Sequence, residues 1–163
     1  MTTVVASVAH GGIAADTRVT GDNSFYPARK VFRVERNGRE SIIGTAGHGF
    51  MCLAFLDWFR LPKRNPKDLH EIIGKEYGRD DISILELNSE GLFAWNGWGY
   101  GERILRDSHA VGSGSQAALE ALRLGVGLED CVKRAFDHDE FTGCEVQIEY
   151  LMPKELKSKR RGK

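Results

Sequence analysis

A chain of 163 residues is long enough for one domain with a substantial core. Its residues are 41% hydrophobic and 28% charged, an ordinary globular composition, and Lys+Arg equals Asp+Glu at 23 each, so no net field singles out nucleic acid or a membrane as the main partner. No apolar run approaches the roughly 20 residues of a membrane span, the N-terminal segment lacks the basic region of a secretory signal, and the scattered Cys52, Cys131 and Cys144 outline neither a disulfide framework nor a zinc site. Reduced thiols in a cytoplasmic protein are the expectation.

The apolar run at 4–9 reads as a strand, His10-Gly11-Gly12 as a turn, and Ile13-Ala14-Ala15 as the return strand that carries Asp16 back toward Thr2. Strands at 30–34 and 40–44 flank Asn37-Gly38, the strongest short hairpin signal. Thr45-Ala46-Gly47-His48-Gly49 then leads into a helix over 50–60, whose apolar face is Phe50, Leu53, Ala54, Leu56 and Trp58. After a break at Leu61-Pro62, Asn65-Pro66 caps a second helix, which is expected to end near Gly74 or Gly78. Strands at 82–87 and 92–95 surround a turn at 88–91. Ala110-Val111 runs into Gly112-Ser113-Gly114-Ser115 and a helix over 116–124, stopped by Gly125. A helix over 128–138 follows, then a strand over 146–151 in which Gln147 and Glu149 mark a wet face. Residues 1–152 are expected to form one domain and the basic segment 153–163 a disordered tail. Grouped strands and helices predict an α+β fold of two antiparallel sheets held between two helical layers.

The start of the chain carries a chemical signal. Removal of Met1 would leave Thr2 with a side-chain hydroxyl and a free α-amine on one residue. A hydroxyl is a weak nucleophile until a base takes its proton, and an N-terminal amine with a pKa of about 7.7–8.0 is a suitable base near neutral pH. Many unrelated chains begin in this way, so the rest of the sequence has to decide.

Five separated pieces do so: Thr2-Thr3-Val4-Val5; Ala14-Ala15-Asp16-Thr17-Arg18; Ala28-Arg29-Lys30-Val31; Thr45-Ala46-Gly47; and Val111-Gly112-Ser113-Gly114-Ser115 with Asp139-Glu140-Phe141-Thr142-Gly143. In this order the chain resembles the proteasome β-subunit family, including the bacterial proteasome-like peptidase that works with an ATP-driven unfoldase. These are N-terminal nucleophile hydrolases with a four-layer αββα sandwich. The resemblance implies Thr2 as nucleophile, Lys30 as the ammonium beside it and Asp16 as the carboxylate that orients Lys30. It implies the Gly47 amide as oxyanion donor and Ser113, Asp139 and Thr142 as a polar cluster around the amine. Threonine at 142 departs mildly from the family's usual serine. By family position, Val19, Ala28, Thr45, Gly49 and Leu53 would line the pocket for the residue before the cleaved bond. The implied activity is endopeptidase cleavage of peptides or unfolded protein inside a homo-oligomeric ring or double ring, with no cofactor or metal and with an ATP-dependent unfoldase as a candidate partner.

Each of these residues also has a plainer reading. Lys30 could be a strand-edge lysine, Asp16 a turn cap, Ser113 the N-cap of the following helix and Asp139 an exposed acid. Arg18 is expected in a structural ion pair, Cys144 in packing, and Trp58, Trp95 and Trp98 in the core or at subunit contacts. His10, His48, His70, His109 and His138 show no ligand spacing. The segment over 61–87 is short for the family. Two rival functions stay open: a small-amide hydrolase of the same superfamily, and a catalytically inactive ring or scaffold subunit.

Overall fold

A computed structural model describes residues 2–21, 24–73 and 81–152. The expected removal of Met1, the far end of the second helix and the basic tail fall outside these residues.

The chain opens with strands β1 (Thr3–Ser7) and β2 (Gly12–Asp16), followed by an exposed two-stranded ribbon, β3 (Arg18–Gly21) and β4 (Ser24–Pro27). Strands β5 (Val31–Arg36) and β6 (Arg39–Gly47) turn at Asn37 and Gly38, whose φ values of 51° and 75° give the paired left-handed residues that a tight hairpin needs. Helices α1 (Gly49–Arg60) and α2 (Pro66–Ile73) come next. Pro66 opens α2, and Asn65 caps it through its Oδ1, which accepts the Lys67 amide at 3.0 Å. Strands β7 (Ile82–Asn88), β8 (Gly91–Asn96), β9 (Gly101–Ile104) and β10 (Ser108–Gly112) lead to helices α3 (Ser115–Arg123) and α4 (Leu128–Phe136) and to strand β11 (Val146–Tyr150).

The strands form a four-stranded sheet in the order β10-β1-β2-β11 and a five-stranded sheet in the order β5-β6-β7-β8-β9, antiparallel throughout. Alternation along each strand divides the core into three clusters. Ile43, Ile82 and Ile84 pack with Phe55, Trp58 and Leu69 of α1 and α2. Val4, Ala6, Ile13 and Ala15 of one sheet meet Ile42, Ala46, Leu85 and Leu87 of the other. Val5 and Ala14 point the opposite way, onto Ala118, Leu122, Cys131 and Val132 of α3 and α4.

Four details differ from the sequence reading. The β3–β4 ribbon and β9 escaped it, because they are short and largely exposed and carry no apolar alternation. Strand β6 runs past the expected 40–44 through Thr45-Ala46-Gly47, which pair with Ile84, Ser83 and Ile82 before His48 leads into α1 as expected. The face of β11 expected to be wet is a polar seam to β5. Gln147 Oε1 accepts the Lys30 amide at 2.8 Å, and Glu149 pairs with Arg29 and Arg33 at 3.1 and 3.0 Å. Arg18 forms no ion pair among the described residues; its guanidinium lies 4.4 Å from the centre of the Phe25 ring.

Gly44 sets the closeness of the two sheets. A Cβ there would meet Val4 Cγ1 at 2.5 Å and Ile13 Cγ2 at 2.8 Å, both on stiff β-branched side chains in the core. Gly44→Ala is therefore expected to lower the unfolding free energy by about 1–3 kcal/mol, as overpacking does. Urea unfolding should show a lower midpoint with an unchanged slope; an unchanged midpoint would mean that the sheets separate freely.

Candidate active site

Asp16 ends β2 at the point where the chain leaves the sheet, and it is fully buried. Its Oδ1 accepts the Thr3 amide at 2.8 Å, while its Oδ2 accepts the Arg18 amide at 3.0 Å, the Gly143 amide at 3.3 Å and Lys30 Nζ at 3.0 Å. The Lys30 side chain is 6% exposed and also donates to the Arg18 carbonyl. Burial pushes the Lys30 pKa below the ordinary lysine value, and the Asp16 carboxylate opposes that fall. A lysine whose proton is held less tightly than in water can share it with a neighbouring hydroxyl or amine. Asp16 is thus a hub that joins β1, β3, the entry to β5 and the segment before β11, well beyond a turn cap.

A second polar cluster lies across β1. Thr142 Oγ1 donates to Asp139 Oδ2 at 2.6 Å, Ser113 Oγ donates to the same oxygen, and the Phe141 amide reaches Asp139 Oδ1 at 3.1 Å. With its proton on Asp139, Thr142 Oγ1 accepts the Thr3 hydroxyl at 2.7 Å. Burial acts to raise the Asp139 pKa, but these donors outweigh it and hold the carboxyl below its ordinary value. Ser113 is not a helix cap, because that position is taken by Gly114 without a side-chain bond. Thr3 is consequently gripped by Asp16 through its amide and by Thr142 through its hydroxyl, which fixes the residue that follows Thr2.

Glycines make room for this strand. Gly112 has φ +95°, and a Cβ there would meet the Thr2 carbonyl oxygen at 1.8 Å. A Cβ on Gly114 would meet Thr3 Oγ1 at 2.2 Å. The Gly112-Ser113-Gly114 segment therefore lets its loop close over the N-terminal strand. Gly47, at φ +116°, has the Asp81 carbonyl oxygen 1.9 Å from the position of a Cβ, so no other residue fits without backbone movement.

A cleft of about 720 Å³ opens beside these groups. Thr2, Lys30 and Gly47 line it together with Val19, Ala28, Thr45, Gly49 and Leu53, so eight of the residues singled out in the sequence share one cavity. Ser113, Asp139 and Thr142 form the separate cluster on the other side of Thr3. The sequence reading missed Tyr26, Phe32, Phe50, Cys52 and Leu56 among the lining residues. Phe50 and Leu56 stood in the predicted helix as an apolar face, and only the fold shows that part of this face turns toward the cleft. Burial raises the Cys52 thiol to about 11, so it is protonated at neutral pH; Thr45 and Lys30 act in the other direction. Cys144 is exposed, at φ 65°, rather than packed as expected. Among the described residues, no group of three or more His, Cys, Asp or Glu side chains is placed to hold a metal ion.

The sequence matches no protein-family model and no curated protein. Solved structures do match. BPH of Thiobacillus denitrificans, in complex with epoxomicin, superposes with a TM-score of 0.69 at 20% identity, covering 93% of this chain and 100% of that one. HslV of Trypanosoma brucei superposes with a TM-score of 0.65 at 21% identity, over 93% and 99%. The fold is that of the proteasome-like peptidases. Anbu of Pseudomonas aeruginosa, solved as a helical assembly, superposes with a TM-score of 0.70 at 12% identity, over 96% of this chain and 83% of that one. At these identities the likeness is one of fold, and what the site does rests on its own geometry. No helix among the described residues is long and apolar enough to cross a membrane.

The Asp139 cluster gives a pH signature. A carboxyl whose folded pKa lies below its unfolded value of 3.8 adds stability that is fully present above that value and is lost as pH falls through the folded pKa. Asp139→Asn should therefore destabilise the protein at pH 7, and the difference from the unmodified protein should shrink below pH 3.8. Urea unfolding at both ends of that range checks it; a difference independent of pH would contradict the assignment.

Proposed function

We propose that this protein is a threonine-type endopeptidase whose nucleophile is Thr2 after removal of Met1. The observation that carries this reading is the buried Asp16–Lys30 pair opening onto the same apolar cleft as Thr2 and Gly47. Thr2 Oγ attacks the scissile carbonyl carbon while its proton passes to the Thr2 α-amine, directly or through a water. Lys30, oriented by Asp16, favours the deprotonated hydroxyl through its positive charge. The tetrahedral oxyanion accepts a hydrogen bond from the Gly47 amide, a contribution of roughly 10²–10³ in rate where such a donor is well placed. Collapse breaks the C–N bond as the amine returns its proton to the leaving nitrogen. Water then hydrolyses the Thr2 ester. Ser113, Asp139 and Thr142 hold Thr3, and through it the orientation of Thr2.

Val19, Ala28, Thr45, Gly49 and Leu53 form the pocket for the residue before the cleaved bond, and their small or apolar side chains suit a bulky apolar residue there. We read the stacking of helices, sheet, sheet and helices as a four-layer αββα sandwich spanning residues 1–152, with residues 153–163 as a tail. HslV and Anbu as neighbours support a homo-oligomer, and we take it to be a ring that admits peptides or unfolded chains, in the cytoplasm, with an ATP-dependent unfoldase as the candidate feeder.

The test is hydrolysis of fluorogenic peptides carrying a bulky apolar residue before the reporter, compared with small amides. Peptide cleavage should fall by about 10³-fold or more in Thr2→Ala and by about 10²-fold or more in Lys30→Ala, with both variants folded. Cleavage of small amides alone would favour a small-amide hydrolase. Unchanged peptide cleavage in Thr2→Ala would end the reading.

A further inference from the structure

A second cavity, of about 370 Å³, lies away from the cleft, where the β5–β6 and β7–β8 turns meet the end of α1 and the segment before α2. Its ionisable lining groups are Arg36, Arg39, Arg64, Glu86 and Glu90. Two of them are already committed to each other, since Arg39 pairs with Glu90 at 2.6 Å.

Glu86 is 5% exposed and its oxygens are occupied by neutral donors. Ser41 Oγ and Asn88 Nδ2 each reach Oε1 at 2.7 Å, and Trp95 Nε1 reaches Oε2 at 2.9 Å. Arg36 and Arg64 form no ion pair among the described residues. The Arg64 guanidinium carbon lies over Phe59 and Trp95, 4.4 and 4.8 Å from their ring centres. Its Nη1 is buried and has no hydrogen-bond partner. A buried N–H donor left without an acceptor is costly, and a guanidinium is the group best shaped to receive a planar carboxylate. Burial lowers the Arg64 pKa and the nearby Arg36 charge lowers it further, while the Glu86 carboxylate acts in the opposite direction.

We propose that this cavity binds a monocarboxylate carried on an apolar body, held between Arg36 and Arg64. Three guanidiniums against two carboxylates leave one positive charge in the lining, which matches a carboxylate better than a doubly charged phosphate. Phe59, Phe93 and Trp95 supply the apolar wall for the body of the ligand. The carboxylate lies between the cavity-facing edges of the two guanidiniums and relieves the repulsion between the two arginines. Free small acids and peptide C-termini share this chemistry. The site is independent of the Thr2 cleft, so neither reading depends on the other.

The Trp95 indole N–H donates to Glu86 inside the cavity and serves as the reporter in a ¹⁵N-correlated NMR titration of the full chain. N-acetyl-L-phenylalanine at physiological salt should move the Trp95 signal to saturation, while N-acetyl-L-phenylalaninamide, which lacks the charge, should not. Arg36→Gln leaves the Arg64–aromatic stack in place and should weaken binding at least tenfold. Arg64→Lys, which keeps the charge but loses the planar fork, should also weaken it and serves if Arg36→Gln does not fold. Tighter binding of N-acetyl-Ala-Ala-Phe with a free carboxylate than of the single residue would assign the site to peptide C-termini, and equal binding would assign it to small acids. An unmoved Trp95 signal, an equal response to the amide, or unchanged affinity in a folded variant would overturn the proposal.

Discussion

The buried carboxylate of Asp16 is the constraint on which the rest of the site depends. Its four donors come from Thr3, Arg18, Lys30 and Gly143, so one side chain fixes β1, the start of the exposed ribbon, the entry to β5 and the segment before β11. A buried charge is tolerated only when paired and hydrogen-bonded, and removing one partner of such a pair typically costs 3–5 kcal/mol. Local order and the placing of an ammonium beside the cleft therefore have the same cause. Lys30 is reached from both sides: Asp16 holds its ammonium, and Gln147 on the other sheet's edge strand holds its backbone amide.

Glycine does the complementary work by leaving space. Gly44 lets the sheets approach at the level of Val4 and Ile13, Gly112 and Gly114 let a loop close over Thr2 and Thr3, and Gly47 carries the end of β6 past the Asp81 carbonyl. The N-terminal strand is thereby enclosed on both faces while Thr2 still borders an open cleft. An N-terminal nucleophile needs this combination, because a frayed end would spread its hydroxyl over many positions, whereas pre-organisation keeps it in one.

Much of this was legible in the residues. Asn37-Gly38 marked its hairpin, Asn65-Pro66 marked the start of α2, and the separated pieces around Asp16, Lys30, Gly47 and Ser113 lie around Thr2 and Thr3 in the fold. What stayed hidden was of two physical kinds. Short exposed strands such as β3, β4 and β9 bury too little to impose a pattern. Contacts between residues far apart in sequence leave no local trace. The Gln147 bond to Lys30 spans 117 positions and the Gly143 bond to Asp16 spans 127, and each depends on sheet register that no window of sequence contains. The polar alternation of β11 was visible, but its meaning was not, since Gln147 meets Lys30 at the entry to β5 and Glu149 meets Arg29 and Arg33.

The central claim is that Thr2 is an N-terminal nucleophile, and intact mass spectrometry tests it most directly. The purified protein is measured before and after treatment with a peptide epoxyketone, and the adduct is mapped by fragmentation. The account predicts a mass lacking Met1 and one adduct per chain, located on Thr2. A chain that retains Met1 and takes up no adduct would contradict it.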